Sequence, residues 1–181
     1  MATLLHNLQQ LYKSTQALYQ IAKGECPYMK KAAKSSWDTA TEKLEFATKG
    51  SKDPGHLIGA GDFFLKAYHD NIGGVRRNII SNIVGADEQA EMYRRAMESA
   101  LMAAFCYALR GGKGDDVNKC VSHARSAYGL YRDAEVQSEH FRLNSAIPSE
   151  GPIFPISCPT PKTKNRLDSE KQEVESAISR L

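Results

Sequence analysis

Residues 96–116 read Ala96-Met97-Glu98-Ser99-Ala100-Leu101-Met102-Ala103-Ala104-Phe105-Cys106-Tyr107-Ala108-Leu109-Arg110-Gly111-Gly112-Lys113-Gly114-Asp115-Asp116. This is an Ala- and Met-rich run, a glycine-rich break, and a pair of carboxylates that opens a second run. Upstream, Asp87 and Glu88 sit where a helix start leaves its N–H groups unpaired. Ala90, Tyr93, Met97, Ala100, Leu101, Ala104 and Ala108 then recur at three- and four-residue steps, which is one apolar helix face. Met102, Phe105 and Leu109 widen that face, so the second half of this helix is expected to be buried on more than one side. Gly111 can adopt the left-handed conformation that closes a helix, with Arg110 near its exposed carbonyls.

Past the break, Asp115 or Asp116 caps a second helix carrying Val117, Val121, Ala124, Tyr128, Tyr131, Ala134 and Phe141 on one side. Run to Leu143 it would be ~42 Å long at ~1.5 Å per residue. Two long helices joined by a short turn pack antiparallel. A turn centred on Lys113 brings Cys106 and Cys120 to one height, and alanines on the first helix let the backbones approach closely.

Working outward, the N-terminal side supplies more rods. Leu4, Leu8, Leu11, Thr15, Leu18 and Ala22 predict a helix from Thr3 to Lys23, with Leu5, Tyr12 and Tyr19 in a second row beside them. Pro27 suits the first turn of the next helix, expected to reach Lys49 with Met29, Ala33, Trp37, Ala40, Leu44 and Ala47 inward. Ser51 to Gly61 contains Gly55, Gly59 and Gly61, which predict a loose turn or a short helix. Asp62 then caps a helix through Phe64, Tyr68 and Ile72, Gly73-Gly74 interrupt it, and Val75 to Val84 form another segment ending at Gly85.

Beyond Leu143 the composition changes. Five prolines (Pro148, Pro152, Pro155, Pro159, Pro161) predict an extended linker over 144–165. From Arg166 to Leu181 the stripe Leu167, Val174, Ile178, Leu181 predicts a short amphipathic helix that is stable only when docked. The expected fold is all-α: an antiparallel helical bundle of five or six helices over residues 1–143, a Pro-rich linker at 144–165, and a C-terminal amphipathic helix at 166–181.

Length and charge bound the function. The chain of 181 residues and 20.0 kDa suffices for one well-buried domain. Its 24 basic and 21 acidic residues leave a net charge of +3, too little for a dedicated nucleic-acid binder. No apolar run approaches the ~20 residues of a transmembrane helix. The N-terminus lacks the basic start and apolar core of a secretion signal, so the expected location is the cytoplasm, with the nucleus as alternative. Four widely spaced cysteines without a CxxC pair predict reduced thiols.

Candidate chemistry is sparse. Gly111-Gly112-Lys113-Gly114 lacks the spacing and the following Ser or Thr of a phosphate loop. Cys120 and His123, with Cys106 opposite, would make three zinc ligands, but no fourth has a predictable place. No nucleophile accompanies His69, Asp62 and Asp70. Lys30, Lys31, Lys34, Arg76, Arg77, Arg94 and Arg95 form three basic clusters able to meet phosphate groups if the fold gathers them. Glu91 and Glu98 stand at helical spacing to neutralise Arg94 and Arg95, which favours an ordinary ion-paired face.

The most distinctive segment is Gly151-Pro152-Ile153-Phe154-Pro155-Ile156, where prolines hold apolar side chains on an extended chain ready to dock. It serves either as a strap that returns the last helix to the bundle or as a ligand for a partner, and the strap is favoured. The functional expectation is a non-catalytic adaptor or scaffold subunit, alone, in a larger complex or as a homo-oligomer. It would bind other proteins through helix faces and the tail residues Ile153, Phe154, Ile156, Leu167, Val174, Ile178 and Leu181. The alternative is nucleic-acid or anionic-membrane binding through the basic clusters. No catalytic residue, metal, cofactor or small-molecule substrate is expected.

Overall fold

The computed structural model describes residues 6–13, 27–50, 53, 55–80, 86–111, 114–146 and 159–181, with 27–31, 76–80 and 144–146 described by their backbone alone. Among the described residues all regular structure is helical: α1 (6–13), α2 (Pro27–Thr48), α3 (Gly55–Ile80), α4 (Ala86–Leu109), α5 (Gly114–Ala146) and α6 (Pro161–Ser179). Each of α2 to α4 packs on the next, and α6 lies on α5.

Helix α4 is the centre of the bundle. Every residue from Arg95 to Cys106 is buried, as a helix apolar almost all round requires. Small residues make this possible. Ala96, Ala100, Ala103 and Ala104 on α4 and Ala124, Ala127 and Ala134 on α5 are nearly or wholly inaccessible, and they share the core with the larger Met97, Leu101, Tyr128 and Tyr131. Gly111, at φ 73°, closes the end of α4, its N–H bonded to the Ala108 carbonyl at 3.0 Å. At the far end, Ser138 Oγ of α5 donates to the Asp87 carboxylate, and Arg142 Nη2 lies 3.6 Å from the same group. That latch ties the start of α4 to the end of α5, which makes the pair antiparallel.

On the other side of α4, Trp37 of α2 meets Phe64 of α3 edge to face at 5.0 Å. Ser36 donates to Asp70 at 2.8 Å, and Lys66 reaches that carboxylate at 2.9 Å. Cys106 and Cys120 share this half of the core with Phe105 and Phe64.

Three expectations are corrected here. No break occurs at Gly59, Gly61 or Gly73-Gly74: α3 is one helix of 26 residues. Tertiary packing overrides the weak helix propensity of glycine. At Gly61 the reason is visible, because a Cβ there would lie 2.7 Å from the ring of Tyr107, whose hydroxyl donates to Asp62 at 2.6 Å. Second, α5 continues to Ala146 and α6 begins at Pro161, so both ends of the expected 144–165 linker are helical. Pro161 does not break a helix; it starts one, at a position where its missing N–H costs nothing, with Thr160 as N-cap accepting from Thr163 N at 3.4 Å. Third, the start expected at Asp62 lies inside α3. Of the expected helix from Thr3 to Lys23, only 6–13 is described; the remainder, residues 81–85, and Ile153, Phe154 and Ile156 lie outside the described residues.

Candidate functional site

The last helix runs antiparallel to α5 along a ladder of polar contacts. From the start of α6 onward, Glu139 accepts from Thr160 N, Thr160 Oγ1 and Thr163 Oγ1 at 3.0, 2.6 and 2.6 Å. Arg166 then donates to Glu135 at 2.5 Å, and Asp168 faces Arg132 at 3.4 Å. Arg125 grips Glu175 through two hydrogen bonds of 3.0 and 2.8 Å. As residue numbers rise along α6 they fall along α5, which fixes direction and register together. The Glu139 carboxylate caps the N-terminus of α6 from another helix; hydrogen bonds from Thr160 and Thr163 outweigh its partial burial and hold its pKa below the usual value.

Two apolar side chains anchor the seam. Leu167 is wholly buried and Val174 nearly so, both in the core shared by α4 and α5. Ile178 and Leu181 are half-buried against the bundle. Four residues expected to meet a partner therefore contact this chain's own core.

Where α4, α5 and α6 converge there is a cavity of about 170 Å³. Helix α4 contributes Arg94, Met97, Glu98 and Leu101, and α6 contributes Glu170, Glu173, Val174 and Ala177. Both sets follow the steps i, i+3, i+4, i+7, so each is one helix face. Tyr128 and Tyr131 of α5 and Leu11 of α1 complete the wall.

Charges in this cavity are linked in series. Arg94 Nε donates to Glu98 Oε1 over a long 3.5 Å, while its guanidinium lies over the Tyr131 ring, 5.9 Å from the centroid. Tyr131 donates to Glu170 at 2.7 Å, and Arg166 Nη1 donates to both Tyr131 Oη, at 3.0 Å, and Glu170, at 3.1 Å. Glu98 is only 7% exposed, and burial pushes its carboxyl up to about 7 despite the attraction of Arg94. Burial also raises the Tyr131 hydroxyl, helped by its hydrogen bond to Glu170. For Arg94, neighbouring carboxylates, Glu98 foremost, outweigh burial and raise its pKa.

Elsewhere the predicted chemistry is dispersed. Arg95 is buried, with Nε 3.7 Å from Glu91, and Lys34 pairs with Asp38 at 2.5 Å. The side chains of Lys30, Lys31, Arg76 and Arg77 lie outside the described residues. Cys106 and Cys120 are buried thiols, the latter pushed up to about 12 by desolvation, so neither supplies a thiolate near neutral pH. His123 stacks on Tyr68 at 4.6 Å and lies 5.4 Å from His69; desolvation lowers its pKa. Among the described residues no three His, Cys, Asp or Glu side chains group for a metal.

Sequence reasoning placed Glu98 on an ordinary ion-paired face. The available signal was its setting: Glu98 is the lone carboxylate between Ala96 and Cys106, a run where almost every neighbour is apolar. No known protein family, curated protein or solved structure matches this chain.

Proposed function

We propose that this chain is a non-catalytic adaptor or scaffold subunit that binds a protein partner through the outer flank of α5. The observation that carries the reading is the exposure of Leu130 (37%) and Phe141 (58%) on that helix. Eleven residues apart, they share one side at ~100° per residue, roughly opposite the side of Arg125, Arg132 and Glu139 that holds α6. Apolar side chains presented in register on a rigid helix supply contact area with little ordering cost. The charged-surface alternative has less support, because Arg94, Arg95 and Lys34 each face a carboxylate.

The test compares tagged wild-type chain with the double variant Leu130→Ser, Phe141→Ser in affinity purification from the native host, followed by mixing of purified components. Both side chains are solvent-facing, so the variant is expected to keep its helical circular dichroism and lose the partner. Equal recovery by both proteins overturns the α5 reading, and salt-sensitive retention on heparin would favour the charged surface instead.

A further inference from the structure

A buried carboxylate normally accepts several hydrogen bonds, since its two oxygens offer about four acceptor sites. Glu98 receives, among the described residues, only the 3.5 Å contact from Arg94 Nε. The other charged groups of the cavity do not compensate. Glu170 is already engaged by Tyr131 and Arg166, Glu173 adds another negative charge, and Arg94 is drawn onto the Tyr131 ring. The cavity thus has an excess of acceptors and negative charge beside an apolar wall of Leu101, Tyr128 and Val174. Its volume of about 170 Å³ compares with the ~150 Å³ that accommodates benzene in an engineered protein cavity.

We propose that this cavity binds a small primary amine, with its ammonium group on the Glu98 carboxylate and an apolar body of about benzene's size against Tyr128, Leu101 and Val174. An ammonium brings three donors and no acceptor, which is the complement of an under-bonded carboxylate. A carboxylate ligand would meet Glu98, Glu170 and Glu173 and is disfavoured. A neutral ligand of the same shape would fill the space and leave Glu98 as it is. The site is independent of the outer flank of α5, so either proposal can fail without the other.

The probes are benzylamine, benzyl alcohol and benzoate, titrated calorimetrically into the full chain at pH 8. Benzylamine is expected to bind about tenfold or more tightly than benzyl alcohol, the usual worth of a hydrogen bond to a charged group, and benzoate not at all. Glu98→Gln should bring amine and alcohol to parity, and Ala177→Leu, which fills the cavity from α6, should weaken both. Because Glu98 takes up a proton as pH falls through about 7, amine binding by the wild type should weaken from pH 8 to pH 5.5. The groups facing Glu98 are Arg94, Arg95 and Glu91 on α4, Tyr131 on α5, and Glu170 and Glu173 on α6. A pH dependence that survives in Glu98→Gln would assign the effect to them and overturn the assignment to Glu98. Equal affinity for amine and alcohol, preference for benzoate, or absence of binding by all three overturns the proposal, the last leaving a cavity that holds only water.

Discussion

Helix α5 is held on two sides by two different kinds of force. Towards α4 it presents Ala124, Ala127 and Ala134 to an apolar surface of similar grain, with a polar latch of Ser138 and Arg142 on Asp87 at one end. Towards α6 it presents Arg125, Arg132, Glu135 and Glu139, each matched by a partner of opposite charge or by a hydroxyl. The first seam derives its strength from area removed from water, at about 25 cal/mol per Å². The second derives its specificity from position, because sliding α6 by four residues would set Arg132 and Arg125 against Lys164 and Lys171 in one direction, or against the uncharged Gln172 and Ser179 in the other, while its two apolar anchors left their sockets. One seam makes the bundle stable, and the other gives α6 one place to dock.

The largest effect should come from the apolar side. Phe105 is 1% exposed in the core that α4 shares with α2, α3 and α5. Phe105→Ala removes that contact and leaves a cavity, at an expected cost of about 4 kcal/mol in global stability. Urea unfolding followed by circular dichroism reads it as a lower midpoint. A loss below about 1 kcal/mol would mean that α4 is not the centre of the core.

Next is Glu98, where the apolar helix and the polar seam meet. Its native carboxyl keeps a proton up to about 7, whereas in the unfolded chain it loses it near the ordinary value of 4.5. Between those limits the native state binds more protons than the unfolded state, so stability falls as pH rises through the window. The shift corresponds to an effect on the order of 3 kcal/mol. Unfolding midpoints of wild type should therefore decline from pH 5 to pH 8 more than those of Glu98→Gln, and parallel profiles would show that Glu98 is solvated.

These two residues also show what was readable without coordinates. Helix α4 was legible almost to the residue, because Asp87 and Gly111 mark its ends and its periodic apolar positions lie between. Helix α2 was legible from Pro27 and its inward face. Helix α3 was not, since Gly61 looks like a breaker until Tyr107, far away in sequence, is seen to need the space. The start of α6 was hidden by counting Pro161 among linker prolines, when its place after Thr160 makes it a first-turn residue. The cavity was hidden for a deeper reason. A helix buried all round has no single apolar stripe to show which of its faces meets α6, so nothing local assigns Glu98 to a cavity.

The third effect falls on the polar seam and tests whether it is separable. Leu167 is the larger buried anchor of α6, and Leu167→Ala should weaken docking of that helix by about 2 to 3 kcal/mol. Hydrogen exchange is the discriminating measurement. Amides of α6 should exchange faster while those of α4 around Phe105 keep their protection, because that half of α4 packs on α2 and α3 away from Leu167. Uniform acceleration through α4 and α6 would make the two seams one cooperative unit and erase the contrast between them.

The smallest effect separates the buried from the exposed contacts within the polar seam. Tyr128 donates to the backbone carbonyl of Leu167 at 2.6 Å, in a buried setting. That carbonyl is also placed to accept from the next turn of α6, so Tyr128→Phe removes one hydrogen bond without leaving it wholly bare, at about 1 kcal/mol. The bond is between neutral groups, and its loss should read the same at low and high salt. The exposed Arg125 and Glu175 pair behaves differently: counterions screen it over a Debye length of ~10 Å at 0.1 M salt. Raising ionic strength should therefore speed exchange in the α6 amides by the same factor in wild type and in Tyr128→Phe, and should leave exchange in the α4 amides around Phe105 unchanged. If salt protects α6 instead, the charges along the seam repel more than they attract, and its register must come from Leu167 and Val174 alone.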